Sequence, residues 1–211
     1  DSIPENKGGG ALEGTRSTGW DMSAAGMAAV WATENTRQGI FDAMKRREVY
    51  ATTGPRIALR LFAGWGFAPA DAGSPDLASL GYAAGVPMGG ELDGQPAAGS
   101  GIKLLISAMK EPKGANLDRV QVIKGWVDAK GESREKIFDV AWSGERLPLP
   151  DGSLPPVGNT VDEAGASYSN SIGAAQLATV WEDPEFDPSL PAFYYVRVLQ
   201  IPTPRHSLYD A

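Results

Sequence analysis

Two threonines and an arginine around a Gly-Pro turn are the residues of this sequence best suited to bind a ligand. Thr52 and Thr53 supply hydroxyl groups, Gly54 leaves the backbone accessible, and Arg56 carries a guanidinium. A guanidinium can hold a phosphate through two parallel hydrogen bonds. A turn at a strand end, satisfied by its own threonines, explains the same residues at least as well. Both interpretations, a small-ligand contact and a structural turn, stay open.

Histidine and cysteine supply too few ligands for a catalytic metal ion. His206 is the only histidine, and cysteine is absent. A zinc or mixed-metal hydrolase site needs several imidazole and carboxylate ligands that converge on the ion. We therefore expect no catalytic residue, no metal ligand and no cofactor in this chain. His206 is predicted to be structural or solvated, or else to join a composite site that other chain completes.

The densest group of carboxylates lies in the stretch WEDPEFDPS. It contains Glu182, Asp183, Glu185 and Asp187. Closely spaced carboxylates suit a hard cation such as Ca²⁺ or Mg²⁺. Their spacing differs from the Asp-x-Asp-x-Asp-Gly pattern of a calcium loop, and two prolines interrupt them. We predict a solvated turn.

Composition limits the classes of partner. The net charge is −7 and the pI about 4.8, whereas nucleic-acid backbones and anionic membranes attract clustered lysine and arginine. No apolar run approaches the roughly 20 residues of a spanning helix. We expect no nucleic-acid partner and no membrane partner. The compartment stays open between periplasmic or secreted and cytoplasmic.

A helix followed by two strands is predicted early in the chain. Asn35 and Gln38 have the spacing of a capping box at a helix start, and the basic residues 45–47 suit the helix end. Residues 49–53 are β-branched and aromatic, and residues 57–62 alternate as a second strand after the Gly-Pro turn.

The remaining low-periodicity segments are predicted to connect elements. Residues 1–21 are polar and Gly-rich, which indicates an extended arm. Residues 23–33 are small and apolar, and fit either a short strand or a short helix. The stretches 63–87 and 143–171 are rich in turn residues and are predicted to be long loops, which are usually functional or mobile.

Five later segments alternate apolar and polar side chains as strands do. They are residues 102–107, 117–126, 136–142, 177–181 and 193–201. The first two are predicted to form an antiparallel pair, and the last to be central because both of its faces are apolar. The fold class that follows is mainly β, an antiparallel two-sheet, immunoglobulin-like sandwich with one N-terminal helix.

Several stretches carry a family resemblance that runs nearly end to end. They are residues 35–57, 86–92, 114–128, 155–162 and 193–205. Together they resemble the C-terminal part of a bacterial family known as domain-of-unknown-function 3604. Its full members are much longer and resemble the PHP (polymerase and histidinol phosphatase) superfamily, whose barrels hold metal ions and hydrolyse phosphoesters. The family's Asp-Thr-His metal motif is not reproduced here, so a divalent metal is implied only for the full-length protein.

The resemblance implies a division of the chain into three parts. Residues 1–34 are an extended arm and barrel remnant, and residues 35–62 are a helix plus a strand-turn-strand unit. In this division the helix is left over from a βα barrel unit, and residues 63–211 form the β-sandwich with two long loops. The implied partner is a missing N-terminal barrel or another copy of the chain.

Three functional hypotheses result. The first is an accessory or structural C-terminal domain that is not catalytic alone. The second is a contribution of residues such as Arg56 or His206 to a metal-dependent phosphoesterase site completed by missing chain. The third is a carbohydrate or small-ligand binding module, for which six tryptophans in a sandwich-like pattern are the basis.

Overall fold

The computed structural model describes residues 26–94 and 100–209, and these are mainly β. The strands are β1 (Met27–Val30), β2 (Val49–Thr52), β3 (Ala58–Gly64), β4 (Val86–Pro87), β5 (Lys103–Met109), β6 (Leu117–Val127), β7 (Ser133–Trp142), β8 (Val161–Asp162), β9 (Ser167–Tyr168), β10 (Gln176–Glu182) and β11 (Ala192–Gln200). The helices are α1 (Arg37–Lys45), α2 (Leu77–Ala84) and α3 (His206–Tyr209), with a 3-10 turn at Pro69–Gly73. The predicted arm, residues 1–21, lies outside the described residues.

Two antiparallel sheets form the body of the fold. The four-stranded sheet has the order β10-β5-β3-β4, and the three-stranded sheet has the order β11-β6-β7. Leu104 and Ile106 of β5 meet Val120 and Val122 of β6 between the sheets, and each is at most 1% exposed. The predicted mainly β, antiparallel two-sheet sandwich is confirmed.

The chain crosses between the two sheets after β5. The prediction that the first two segments, β5 and β6, pair with each other is wrong, because β5 pairs with β3 and β10 while β6 pairs with β7 and β11. The Lys110 side chain ties the connection by donating to the carbonyl oxygens of Glu111 and Gly114 at 3.1 and 2.9 Å. The crossover places the apolar faces of β5 and β6 opposite each other.

Strand β11 lies at an edge of the three-stranded sheet. The prediction of a central strand at 193–201 is wrong, because β6 is the only strand partner of β11 among the described residues. Val196 and Val198 contact the core, whereas Phe193 and Tyr195 are 61% and 46% exposed on the opposite face. Strand β11 therefore carries apolar side chains on both faces, but the described part of the chain covers only the face with Val196 and Val198.

Helix α1 begins one residue later than predicted. Thr36, and not Asn35, is the N-cap, and its Oγ1 accepts a hydrogen bond from the Gly39 N–H at 3.1 Å. The Gln38 side chain donates forward to Asp42 Oδ1 at 2.9 Å instead of reaching back. The extended backbone of Thr36 places its hydroxyl beside the first helical turn, where it accepts from a backbone N–H that has no partner within the helix. The expected capping box would also have satisfied N–H groups of this turn.

Helix α1 ends in a Schellman-type turn with an arginine in the left-handed position. The Glu48 N–H donates to the Ala43 carbonyl at 3.1 Å, and the Arg47 N–H donates to the Met44 carbonyl at 3.0 Å. Arg47 has a φ of 64°, a conformation in which glycine is the usual residue. The backbone of Arg47 also passes so close to Gly89 that a Cβ there would lie 2.3 Å from the Arg47 carbonyl oxygen.

The segment before α1 is a strand rather than a helix. Within the predicted range 23–33, β1 pairs with β2, and Ala29 lies opposite Tyr50. Strand β2 therefore belongs to a small two-stranded sheet, while β3 joins the four-stranded sheet. The division of the chain at residues 34 and 62 stays a prediction.

The stretch 63–87 is not the predicted loop. It contains the 3-10 turn, α2 and β4. Asp76 caps α2 by accepting a hydrogen bond from the Ser79 N–H at 3.3 Å. Gly81 lets α2 approach the Phe62 ring closely, since a Cβ at Gly81 would lie 2.4 Å from it.

None of the helices in the described part of the chain has the length and apolar character that a membrane-spanning helix requires.

The stretch 143–171 is held against the three-stranded sheet by two arginines. Arg146 Nη2 lies 2.6 Å from Asp118 Oδ1, and Arg119 Nε donates to Asp118 Oδ2 at 3.0 Å. Both guanidiniums also donate to the Pro155 carbonyl, at 2.9 and 3.2 Å. All three charged side chains are largely buried, so this proline-rich segment is fixed to the start of β6.

We expect Arg47→Gly to raise the free energy of unfolding by about 0.5–1 kcal/mol, because glycine adopts the left-handed conformation without the cost that a side chain brings. Urea denaturation measures this. Arg47→Ala is the matched control, since it removes the same side chain but keeps the conformational strain. Equal stability of the two variants would contradict the explanation.

Candidate functional site

A large cleft lies where the two sheets separate. It has a volume of about 810 Å³ and lies between β2 and β3 on one side and β11 on the other. We call it the inter-sheet cleft. Its lining residues are Arg47, Val49, Tyr50, Ala51, Thr52, Thr53, Pro55, Ile57, Leu59, Leu61, Met88, Gly89 and Tyr194 to Gln200. The sandwich is thus closed along its centre and open between β3 and β11.

The walls of the inter-sheet cleft are apolar and its charges are positive. Leu59 and Leu61 of β3 belong to one wall, and Val196 and Val198 of β11 to the other. Among the described lining residues there is no aspartate, glutamate, lysine or histidine, and the charged residues are Arg47 and Arg197. Arg197 borders the cleft at the edge of β11, and its side chain bonds Gln121 on the face opposite Val196 and Val198. An apolar cavity of roughly 300–1,000 Å³ with a few polar groups is typical of a binding site.

Two of the predicted ligand-binding residues reach the inter-sheet cleft. Thr52 and Thr53 line it, and the Thr52 hydroxyl is buried with no hydrogen-bond partner among the described residues. Arg56 does not line the cleft; its side chain is exposed and its backbone N–H donates to Glu111 Oε2 at 3.2 Å. The backbone of His206 belongs to α3, and its side chain lies outside what the structure describes.

The two cleft arginines were missed by sequence reasoning. Arg47 is 65% exposed and its nearest carboxylate, on Glu91, is 3.4 Å away. Arg197 Nε donates to the side-chain oxygen of Gln121 at 2.9 Å. For Arg47, the sequence signal was its position just after the last residue of α1, where a left-handed turn leads the chain toward β2. For Arg197, nothing in the alternation of β11 indicated a position at the cleft.

The backbone edge of β11 borders the inter-sheet cleft. Seven consecutive residues, 194–200, line it, although their side chains alternate between the two faces of the sheet. A cleft that contacts both faces of a strand must run along the strand's edge. Among residues 26–94 and 100–209, β6 is the only strand paired with β11, so the second edge of β11 presents backbone donors and acceptors to the cleft.

A buried ion pair lies deeper between the sheets. Lys124 Nζ donates to Asp183 Oδ2 at 2.6 Å and to the Glu185 carbonyl at 2.7 Å. The Tyr194 hydroxyl donates to the same Asp183 oxygen at 2.6 Å. The Lys124 and Asp183 side chains are 6% and 0% exposed, so the predicted solvated turn is wrong for Asp183, whereas Glu182, Glu185 and Asp187 are exposed. The turn is folded inward because Asp183 satisfies an otherwise buried ammonium.

A second buried carboxylate joins α1, β3 and α2. Glu48 is 4% exposed and accepts hydrogen bonds from Arg46 Nε, at 2.7 Å, and from the Tyr82 hydroxyl. Burial raises the pKa of Tyr82, and the hydrogen bond to Glu48 adds to this. Arg60 lies 3.4 Å from the centre of the Trp31 ring and completes the cluster. These groups are engaged with one another, and their role is to fix the N-terminal elements to the sandwich.

Carboxylates do not converge into a cation site in the described part of the chain. No group of three or more histidine, aspartate or glutamate side chains is placed to hold a metal ion there. Of the predicted cluster, Asp183 is paired with Lys124, and Glu185 forms an ion pair with Lys136. Asp187 accepts hydrogen bonds from Ser189, which lower the pKa of that carboxyl.

The stability of the protein should fall in alkaline solution because of Tyr194. Burial, with a further contribution from the hydrogen bond to Asp183, raises the pKa of its hydroxyl above the usual value. Below about pH 10 both the folded and the unfolded states keep the proton; above it only the unfolded state releases it, which favours unfolding. We expect the free energy of unfolding to decline above about pH 10, and Tyr194→Phe to make the decline shallower.

Urea denaturation at a series of alkaline pH values measures this. Tyr195→Phe is the matched control, because it removes a neighbouring hydroxyl from the opposite face of β11 and should keep the wild-type decline. The prediction fails if the two phenylalanine variants show the same pH dependence. Tyr82 and Tyr168, whose pKa values burial also raises, account for the decline expected to persist in Tyr194→Phe.

Comparison with known proteins identifies a family. The family model described as "Protein of unknown function (DUF3604)" matches residues 2–211. No curated protein and no solved structure gives a match. The matched region covers the sandwich, the inter-sheet cleft and the buried ion pairs described above. The chain belongs to the DUF3604 family.

Proposed function

We propose that this chain is an accessory domain that binds and positions rather than catalyses, and that it serves a PHP-like metal-dependent phosphoesterase unit of a bacterial protein. One observation carries the proposal. The inter-sheet cleft has apolar walls, and its described lining includes two arginines but no aspartate, glutamate, lysine or histidine. Carboxylate, imidazole and ammonium groups are the ones that general acid–base catalysis and metal binding use most, whereas ligand binding does not need them.

The other ionisable groups support an accessory role because they are engaged inside the fold. Lys124 is paired with Asp183, and Asp118 is held by two arginines. Taking one partner away would leave a buried charge unpaired, which typically costs about 3–5 kcal/mol. Groups bound in this way fix loops to the sheets and are unavailable for proton transfer.

The outer face of the three-stranded sheet supplies a surface for the phosphoesterase unit. Phe193 and Tyr195 stack with their ring centres 6.4 Å apart, and Ile137 on β7 is 47% exposed. Exposed apolar residues that adjoin one another mark contact surfaces. We propose that the barrel unit of the same protein packs on this face, and that the immunoglobulin-like sandwich with its N-terminal helix is a rigid extension of that barrel.

The tryptophans favour this role over carbohydrate binding. The indole N–H groups of Trp31, Trp65 and Trp142 each donate to a backbone carbonyl oxygen, at 2.8, 3.1 and 2.8 Å. Trp181 contacts Phe138 and Tyr194 with its ring. Rings that are used for internal packing in this way offer little surface for stacking on a sugar.

A second candidate function is a composite site. The buried Thr52 hydroxyl, without a partner among the described residues, supports it, because such a group is costly unless a ligand or neighbouring chain completes it. In this case Thr52, Thr53 or Arg56 would contact a phosphoester held by the metal ions of the barrel.

An activity assay tests the accessory role of the chain alone. With an aryl phosphate and added Mn²⁺ or Zn²⁺, we expect no turnover above the uncatalysed rate, because the cleft lacks a general base and metal ligands. The matched variant Thr52→Val/Thr53→Val/Arg56→Gln identifies contamination, since a contaminating phosphatase would act equally in both samples. Turnover at an enzymatic rate by the wild type that this variant loses would overturn the proposal.

A binding experiment tests the docking surface. A polypeptide that carries the PHP-like region of a longer family member is mixed with this chain and followed by analytical ultracentrifugation. We expect Phe193→Ser/Ile137→Ser to weaken the complex at least about tenfold, because it removes apolar area from the centre of the contact. Leu147→Ser, at a residue 78% exposed on the 143–171 stretch, is the control and should leave binding unchanged.

The same mixture separates the outcomes. Self-association of the chain through the Phe193 face would replace the barrel by a second copy as the partner. A complex whose phosphoesterase rate falls when Thr52 and Thr53 are replaced by valine, with binding unchanged, would favour the composite site. No complex with the barrel region would refute the docking surface.

A further inference from the structure

We propose that the inter-sheet cleft binds an extended peptide, which adds as a strand to the second edge of β11. The inference concerns a different surface from the docking face and does not depend on the accessory role. The peptide is defined by its chemistry: apolar side chains at alternate positions that enter the cleft, and carboxylates that meet Arg47 beside the cleft and Arg197 on the outer face of β11.

The edge of β11 determines that the ligand is a polypeptide. Strand β11 has nine residues, and its antiparallel ladder with β6 uses one edge of that strand. An edge strand of this length presents a row of backbone N–H and C=O groups at regular spacing on its second side. A second backbone satisfies such a row, as in other complexes where a peptide extends a sheet. An acyl chain would fill the apolar space but leave these groups without partners.

The walls of the cleft suit the side chains of an added strand. A strand beside β11 would direct every second side chain inward, level with Val196 and Val198. These inward side chains would fill the gap in front of Leu59 and Leu61 of β3. Since both valines and Leu61 are only half-buried in the chain as described, an inserted strand would complete the core at the open side of the sandwich.

Charge determines which peptides fit best. The chain carries a net charge of −7, yet the described lining of this cleft has two arginines and no acidic residue. Arg47 is 65% exposed, and its contact with the 84% exposed Glu91 is a weak surface pair that a ligand carboxylate can replace. The local charge is therefore opposite to that of the whole molecule and complementary to an acidic peptide.

The probe is the capped peptide acetyl-Glu-Val-Thr-Val-Thr-Val-Glu-amide, titrated into the full chain by calorimetry. Two control peptides carry N-methyl groups, one on the odd-numbered residues and the other on the even-numbered residues. Whichever register the peptide takes, one of the two lacks the N–H groups that would donate to β11. We expect saturable binding, and about tenfold or greater weakening by one of the methylated peptides, because several backbone hydrogen bonds are lost together. Hydrogen exchange should show new protection of amides in 192–200 when the peptide is added.

Two variants of the chain and one variant of the peptide complete the test. Arg47→Gly, whose backbone conformation glycine accepts, should weaken binding up to about fivefold, and replacing both peptide glutamates by glutamine should remove that difference. Phe193→Ser, which does not line the cleft, should bind the peptide like the wild type. Loss of peptide binding in Phe193→Ser with a folded chain would refute a site separate from the docking face.

The remaining outcomes overturn the proposal in identifiable ways. Equal affinity of the probe and both methylated peptides would exclude strand addition. Protection of the β11 amides before any peptide is added would indicate that the edge is already occupied, by a second copy if ultracentrifugation shows a dimer and by this chain itself if it shows a monomer. Absence of saturable binding by the probe would refute the peptide site.

Discussion

Burial of apolar side chains between β5 and β6 is the constraint on which the rest of this fold depends. Leu104 and Ile106 face Val120 and Val122 at the centre of the two sheets, and all four are almost completely excluded from water. Because the two strands must face each other, they cannot lie in one sheet, and the chain crosses over between them. Strands β3 and β10 pair with β5, and strands β7 and β11 pair with β6, so the two sheets grow outward from this contact.

Charged groups at the margins of this core fix the long connections. Lys124 and Asp183 bring the 182–190 turn inward, and the two arginines around Asp118 hold the 143–171 stretch. Burying these charges is costly unless each has its partner, so the pairs specify one arrangement of the loops.

The binding role and the open side of the sandwich have a common origin. Strand β3 pairs with β5 and strand β11 pairs with β6, but β3 and β11 themselves are separated by the inter-sheet cleft of about 810 Å³, which is large enough to admit another element. Thr52 and Thr53 reach this space because β2 runs along it, whereas Arg56 follows the turn and points away from it. A site of this kind recognises a partner by its shape, its backbone groups and its charge, and its function is binding.

The sequence by itself determined the main strands of the sandwich and the first helix. Alternation of apolar side chains located β5, β6, β7, β10 and β11 to within a few residues, because the period of two is a local property of a strand. The single histidine and absent cysteine likewise limited metal chemistry without any structure. The helix start was misplaced by one residue, because Asn35 and Thr36 are both good caps and only the backbone conformation selects between them.

Only the tertiary structure decided which elements meet. Periodicity tells which residues share a face but not which strand lies beside it, so the β5–β6 crossover and the edge position of β11 were beyond its reach. The helix α2 was missed because it is short and its composition resembles that of a loop. The burial of Asp183 depends on a contact across 59 residues of chain, which no local pattern encodes.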